Sequence, residues 1–264
     1  MEALPQTIMI GDVELEMVDK GTGEVLLLLH GASGPTCKFT YFGQLARDWR
    51  VLAPSHPGFG GTPLPDWLDS VDDLSYLYLD LLDAMDLRNV TVLGFSLGGW
   101  IAAEMAVRCS ARISGMVLVG AVGIKIGDRE TRDFPDIYAI KPEEVTRLIY
   151  HIPGLAPDPA KMSEEELMLI ARHRAAAALY LWEPYMHHPK LWRRLRRIDV
   201  PTLYIRGAHD GLVSQKYAEA YCAAIPGAQL IVMDDAGHVP EQERPDAFVA
   251  EINKFAAARQ RAVT

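Results

Sequence analysis

Residues 89–106 place a serine where a strand turns into a helix. Residues 90–93 form an apolar, β-branched run and residues 100–106 have helical spacing, so the change takes place within about three residues. Ser96 lies in this turn between Gly94 and Gly98. A turn this sharp strains its central residue and requires small residues two positions away. The pattern predicts an exposed serine nucleophile at a helix N-terminus, and the alternative is a serine N-cap in a glycine-rich turn.

A serine nucleophile requires a base that takes its proton and a carboxylate that orients the base. His238 follows the last predicted strand in a loop flanked by glycine and proline, and Asp210 follows the strand before it. We predict that these two residues are the base and the acid. Asp234 and Asp235 are the competing carboxylates, and we interpret them as turn residues. The alternative for Asp210 is a plain turn former, and for His238 a loop histidine with one backbone hydrogen bond.

Two backbone N–H groups are expected to stabilise the negative charge that develops on the substrate oxygen. One is the N–H of Leu97, at the start of the helix that follows Ser96. The other is predicted in the loop 30–35 after the apolar strand 25–29, and we favour Ala32. The alternative for this loop is a turn that only ends the strand.

Strand and helix patterns alternate along most of the chain and must position these groups. Strands are predicted at 7–10, 13–18, 25–29, 50–53, 90–95, 115–120, 202–206 and 229–233. Helices are predicted at 39–48, 71–85 with Ser70 as N-cap, 97–106, 142–150, 163–181, 190–197, 214–224 and 245–258. Such alternation indicates an α/β fold with a mostly parallel sheet, helices on both faces and ligands at the carboxyl ends of the strands.

Residues 123–198 interrupt this alternation. They contain proline-rich connectors and helical stretches but no convincing strand. The segment is longer than an ordinary crossover. We therefore predict a helical cap at 123–198, inserted into a core formed by 1–122 and 199–264.

Composition limits the class of protein. A chain of 264 residues with 49% hydrophobic residues is long enough for one large domain, and a net charge of −9 disfavours nucleic acids and anionic membranes as partners. The three cysteines have no C-x-x-C spacing and indicate neither a disulfide framework nor a zinc site. Residues 1–6 show no leader pattern. We expect a cytoplasmic protein that acts on a small molecule, and leave a homo-oligomer open.

The substrate pocket is the least defined part of the prediction. An apolar pocket between cap and sheet is the ordinary form of a small-molecule site. The residues expected to contact substrate are Ser33, Phe95, Trp182, Tyr185 and Val239. Further candidates for substrate contact are Arg172, His173 and Arg174 on a cap helix and His56 after the strand 50–53.

Over nearly its whole length the chain resembles the α/β-hydrolase superfamily. The resemblance rests on His30-Gly31 before the oxyanion loop, the turn 57–60, the glycines around Ser96, Gly237-His238 and the chain order serine, aspartate, histidine. It implies a catalytic triad of Ser96, Asp210 and His238, with no metal and no organic cofactor.

Within this superfamily the chain is similar to small carboxylesterases and to meta-cleavage-product C–C bond hydrolases. The C–C hydrolases typically have Asn before the nucleophile and an aromatic residue after the histidine, where this chain has Phe95 and Val239. We therefore expect a serine hydrolase that cleaves a carboxylic ester of a small, largely apolar substrate. The alternatives are C–C bond hydrolysis of a ring-fission product and a ligand sensor with slow or no turnover.

Overall fold

A computed structural model describes residues 5–263. Residues 1–4, part of the segment in which no leader is expected, and residue 264 lie outside the described residues. The strands are β1 (Gln6–Ile10), β2 (Val13–Lys20), β3 (Val25–Leu29), β4 (Arg50–Pro54), β5 (Val90–Phe95), β6 (Ile113–Val119), β7 (Thr202–Gly207) and β8 (Gln229–Met233). The helices are α1 (Thr40–Asp48), α2 (Val71–Ala84), α3 (Leu97–Arg108), α4 (Pro142–Ile149), α5 (Glu164–Leu181), α6 (Leu191–Arg194), α7 (Gln215–Ala224), α8 (Pro240–Glu243) and α9 (Pro245–Val263).

The eight described strands form one sheet in the order β1-β2-β4-β3-β5-β6-β7-β8. The hairpin of β1 and β2 joins it antiparallel to β4, and the remaining neighbours pair in parallel. One apolar cluster lies between the sheet and α2, α3 and α7, and another lies against α1 and α9. The predicted mostly parallel sheet with helices on both faces is therefore confirmed.

Capping serines mark the starts of α2, α5 and α7. Ser70 caps α2 through a reciprocal capping box with Asp73, as predicted for a serine before an acidic first turn. Two features differ from the prediction. The helix α8 directly after His238 was not predicted, since four residues are too few to show helical spacing. The predicted helix 190–197 consists of α6 followed by a 3₁₀ turn at Leu195–Arg197.

In the segment between β6 and β7 the regular elements are helices, joined by loops and by an isolated bridge between Gly123 and His187. Its helix α5 turns its carboxyl half toward the core, where Ala176, Ala177 and Tyr180 are buried. The Tyr180 hydroxyl donates to the Pro57 carbonyl at 3.0 Å. These contacts attach the segment to the sheet, while its boundaries at 123 and 198 stay a prediction.

Two expectations about the chain as a whole concern membranes and cysteines. Within residues 5–263, no helix combines the length and the apolar character that crossing a bilayer requires. Cys37, Cys109 and Cys222 are free thiols.

A buried histidine pair connects the carboxyl ends of β3 and β4. The His56 N–H donates to His30 Nε2 at 2.9 Å, and His56 Nε2 donates to the His30 carbonyl at 2.9 Å. His30 Nδ1 in turn donates to the Gly31 carbonyl at 2.8 Å. The His30 ring is therefore a neutral tautomer with both nitrogens engaged, and His56 Nδ1 pairs with the Tyr78 hydroxyl, which can donate to a neutral ring. The hypothesis that His56 reaches the cleft is not supported, since its side chain is fully buried and bonded to Tyr78.

We expect this pair to make the fold acid-sensitive. Burial lowers the pKa of His56 to about 4 and, with the charge of His56, lowers that of His30 well below its usual value. The unfolded rings titrate at about pH 6.5, so below that pH protons bind the unfolded chain while the buried rings stay neutral. The unfolding free energy is therefore highest above about pH 6.5 and decreases as the pH falls toward 4. For His56 alone the loss is on the order of 3 kcal/mol of unfolding free energy.

The measurement is urea unfolding between pH 7.5 and 4, together with an NMR titration of the histidine ring protons. A His56 ring that titrates near pH 6.5 in the folded protein would contradict the prediction.

Candidate active site

Ser96 occupies a strained turn between β5 and α3. Its φ of 48° lies in the left-handed region that side chains rarely adopt. The turn is tight, because a Cβ added at Gly98 would lie 2.1 Å from the Leu29 carbonyl oxygen and one at Gly94 would lie 2.4 Å from the Gly98 carbonyl oxygen. Both glycines are thus required by close backbone approach. The strain holds the Ser96 side chain at the carboxyl edge of the sheet.

His238 and Asp210 form a buried pair at the same edge. His238 Nδ1 donates to Asp210 Oδ2 at 2.8 Å, and the two side chains are 8% and 0% exposed. The other carboxylate oxygen, Oδ1, accepts the N–H groups of Leu212 and Val213, both at 2.8 Å. Asp234 and Asp235 are exposed. Of the three candidate carboxylates, Asp210 is therefore the one that bonds His238.

The charge of Asp210 controls the basicity of His238. Burial by itself disfavours a charged imidazole, but the Asp210 charge and its hydrogen bond outweigh burial, and the pKa of His238 is raised. Glu241 adds to the rise and Arg206 opposes it. The pocket therefore stabilises a protonated imidazole more than water does.

Residues 119 and 120, at the end of β6, lie against both the serine turn and the histidine. The Ser96 N–H donates to the Val119 carbonyl at 2.8 Å. Gly120 has φ +51°, and a Cβ there would lie 2.8 Å from His238 Cε1 and 3.4 Å from Asp210 Oδ2. A larger residue would push the imidazole away from its partner. Gly120 was not among the predicted site residues, and its only signal in the sequence is a glycine at the end of an apolar strand.

The loop after β3 packs against the serine turn. A Cβ at Gly31 would lie 3.4 Å from the Phe95 carbonyl oxygen and 3.5 Å from Ser96 Cβ. Ala32, the next residue, is half-buried against the core. Leu97 is the first residue of α3, where helix N–H groups have no acceptor within the helix. Both predicted N–H donors thus belong to segments that adjoin Ser96.

Two charged residues that were not predicted, Arg206 and Glu243, hold the loops of Asp210 and His238 by bonds to backbone groups. The buried Arg206 donates to the carbonyls of Val213 and Asp210 at 2.8 and 3.0 Å. Its signal was a single charge inside the apolar strand β7. Glu243 accepts the N–H groups of Gly237 at 2.5 Å and Ile152 at 2.6 Å, and so joins the His238 loop to the segment after α4. No sequence pattern pointed to Glu243.

His173 on α5 joins the inserted helices to two loops of the core. The Gly60 N–H donates to His173 Nε2 at 3.0 Å, so the proton is on Nδ1, which donates to the Ser33 carbonyl at 3.1 Å. Arg172 donates to carbonyls of the turn 57–62. Both side chains are engaged with backbone, which does not support the hypothesis that they bind a substrate carboxylate. Arg174 lies over the Tyr138 ring.

The five predicted substrate contacts lie in three regions. Ser33 lies next to Ala32 in the loop after β3, and Val239 lies next to His238. Trp182 and Tyr185 line a cavity of about 280 Å³ within the inserted segment, and the Tyr185 hydroxyl donates to the Pro135 carbonyl at 2.8 Å. The Phe95 ring packs in the core against Tyr41 and Phe248. Substrate contact by these residues stays a prediction.

The fold and the site define a class of protein. Residues 26–251 match the alpha/beta hydrolase family, and the chain belongs to that family. Membership supports hydrolase activity.

Relatives within this family carry different activities in their names. The chain is 28% identical over 268 residues to 2-hydroxy-6-oxo-2,4-heptadienoate hydrolase of Pseudomonas putida, with 95% of each chain covered. It is 25% identical to pyrrolizixenacetamide deacetylase of Xenorhabdus hominickii, over 94% of this chain and 96% of the relative. The structure of an esterase from Exiguobacterium antarcticum superposes with a TM-score of 0.77 at 20% identity, over 96% and 99% of the two chains.

The bridge formed by His173 generates a prediction about stability. His173→Ala leaves the Ser33 carbonyl and the Gly60 N–H without their partner and is expected to lower the unfolding free energy by about 1–3 kcal/mol. His173→Asn retains a donor near the position of Nδ1, and His173→Gln retains an acceptor near that of Nε2, so each should lose less. Urea unfolding measures the loss, and hydrogen exchange should accelerate at residues 31–34 and 58–62.

His187→Ala is the matched control, because the His187 ring bonds Tyr185 within its own segment. Equal losses in the two alanine variants would refute a bridging role for His173.

Proposed function

We propose that the protein is a serine hydrolase that cleaves a carboxylic ester of a small, largely apolar molecule through an acyl-enzyme on Ser96. The observation that carries this proposal is the buried hydrogen bond between His238 Nδ1 and Asp210 Oδ2, at the strand edge that also holds the strained Ser96. Acyl transfer requires a histidine that is oriented by a carboxylate and reaches the serine, and here Val119 and Gly120 adjoin both the Ser96 turn and the His238 ring.

The proposed mechanism uses the second nitrogen of the imidazole. Nδ1 is engaged by Asp210, which leaves Nε2 to take the Ser96 proton as the hydroxyl attacks the carbonyl carbon. The raised pKa of His238 favours the imidazolium that this transfer creates. The imidazolium then protonates the leaving alcohol, and a water molecule deacylates Ser96 by the same route.

Backbone N–H groups are proposed to stabilise the oxyanion. Leu97 offers a helix N-terminal N–H next to the nucleophile, and Ala32 lies on the loop whose Gly31 packs against Ser96. Donors held by a rigid backbone stabilise charge without reorganising during the reaction. The bridge from His173 to Ser33 restrains this loop.

C–C bond hydrolysis is the second candidate, and the Pseudomonas putida relative favours it. It would use the same three side chains. Phe95 supports the ester instead, because the residue before the nucleophile is committed to core packing against Tyr41 and Phe248 and offers no polar group to a dienolate. The name of the Xenorhabdus hominickii relative, a deacetylase, also fits removal of an acyl group.

Ser96→Ala is expected to lower kcat for a short p-nitrophenyl ester by at least about 10³-fold, because no other hydroxyl can form the acyl-enzyme. Circular dichroism should remain unchanged. A fluorophosphonate probe should label the wild-type protein and not the variant. Ser110→Ala, which removes a serine beyond the end of α3, is the control and should keep full activity.

The same samples distinguish the candidates. Faster consumption of a yellow meta-cleavage product than of any ester would assign C–C hydrolysis. A protein that turns over neither substrate and resists the fluorophosphonate would be a sensor. Full ester activity in Ser96→Ala would refute the nucleophile.

Gly120→Ala tests the histidine position. Its Cβ would meet the His238 ring, and a displacement of about 1 Å is expected to lower kcat by about 100-fold. The matched control is Gly227→Ala, which has φ +70° but open space around the added Cβ. Both variants place an alanine at a positive φ and share that backbone strain, so an equal kcat in the two would contradict the proposed contact.

A further inference from the structure

Three metal-ligating side chains meet outside the proposed triad. His151 follows α4, His209 follows β7 and Asp235 follows β8. One ligand atom of each lies within 4.8 Å of the others. The two imidazole rings are stacked, with centroids 3.8 Å apart and planes 8° apart. The cluster thus combines one residue of the inserted segment with two loops of the core.

The donor set selects a class of metal ion. Two imidazole nitrogens and one carboxylate oxygen suit Zn²⁺ and neighbouring transition metals, whereas Mg²⁺ and Ca²⁺ prefer oxygen ligands alone. Zinc binds nitrogen and oxygen at about 2.0–2.2 Å. Atoms that share one zinc ion therefore lie closer to one another than the separations of up to 4.8 Å found here. Binding therefore requires the two rings to turn out of their stack, and three protein ligands leave the fourth position of a tetrahedral site to water.

The backbone already holds the three residues in place. The His209 N–H donates to the Ala236 carbonyl at 2.8 Å, which links the loops after β7 and β8. The His238 N–H donates to the Ile149 carbonyl at 2.7 Å, and Glu243 binds the Ile152 N–H, which fixes the chain on both sides of His151. Metal binding therefore has to order side chains only.

One cation competes for the carboxylate. Arg244 Nη2 lies 3.4 Å from Asp235 Oδ2, and the two side chains are 39% and 67% exposed. An ion pair this exposed contributes little. A divalent ion with two additional nitrogen ligands displaces it readily.

We propose that His151, His209 and Asp235 form a binding site for a divalent transition-metal ion, with Zn²⁺ as the representative ion. A bound ion links the segment after α4 to the loops that carry Asp210 and His238. Occupancy stabilises the folded chain, because the three ligands come together only in the native state. The proposal uses no atom of the proposed triad and does not depend on the hydrolytic reaction.

The experiment titrates ZnCl₂ into the full chain after treatment with a chelator. We expect one zinc per chain by calorimetry and a melting temperature that rises with zinc concentration. His151→Ala, His209→Ala and Asp235→Ala should each weaken binding at least about tenfold, since the loss of a residue that only hydrogen-bonds a metal ligand already costs about 10–100-fold in affinity. Their melting curves without metal should match that of the wild type within a few degrees.

Two controls exclude other ligands. His187→Ala combined with His188→Ala removes another histidine pair and should bind zinc as the wild type does. Co²⁺ should give a spectrum without thiolate charge transfer, which excludes the exposed Cys109. Zinc binding that survives the triple variant of His151, His209 and Asp235, or no binding by the wild type, would overturn the proposal.

Discussion

The buried hydrogen bond between His238 and Asp210 is the interaction that the surrounding loops and strands are arranged to maintain. Both side chains are buried, so each would be costly to leave alone, and each compensates the other. Their loops follow β7 and β8, which pair in parallel and therefore end at one edge. Arg206 and Glu243 hold the two loops by bonds to backbone groups, and Gly120 leaves space for the ring. The geometry of the pair thus depends on packing across three adjacent strands.

On the other side of Ser96, neutral histidines hold the loops after β3 and β4. His30 and His56 exchange hydrogen bonds with each other's backbone, and His173 adds a bridge from α5 to both loops. In a neutral imidazole one nitrogen donates and the other accepts, so His30 and His173 each join a backbone carbonyl to a backbone N–H, and His56 joins the His30 carbonyl to the Tyr78 hydroxyl. This role requires the uncharged form, whereas the proposed role of His238 requires a ring that readily becomes charged. The difference is the carboxylate partner: without one, burial lowers the pKa of His30, His56 and His173, whereas at His238 burial is outweighed by Asp210, which raises the pKa.

The sequence was sufficient for the sheet and for the residues at its strand ends. Parallel strands buried on both faces appear as continuous apolar runs, and Asp210 and His238 lie in the loops that follow two of them. The turn at Ser96 was visible because its backbone contacts permit only glycine. The roles of His173 and Glu243 were not visible, since the partners of His173 lie 113 and 140 positions away and Glu243 bonds a residue 91 positions away. No periodicity records a contact between one side chain and a distant backbone group.

The inserted segment contacts the loops that carry the proposed acid and base. The Gly211 N–H donates to the Leu148 carbonyl at 2.9 Å, and the His238 N–H donates to the Ile149 carbonyl at 2.7 Å. The end of α4 therefore supports the residue after Asp210 and the backbone of His238 itself. A movement of α4 must strain or break these bonds. The position of α4 and the position of the His238 backbone are thus coupled, and a substitution in this segment preserves the proposed base only where it leaves these two carbonyls in place.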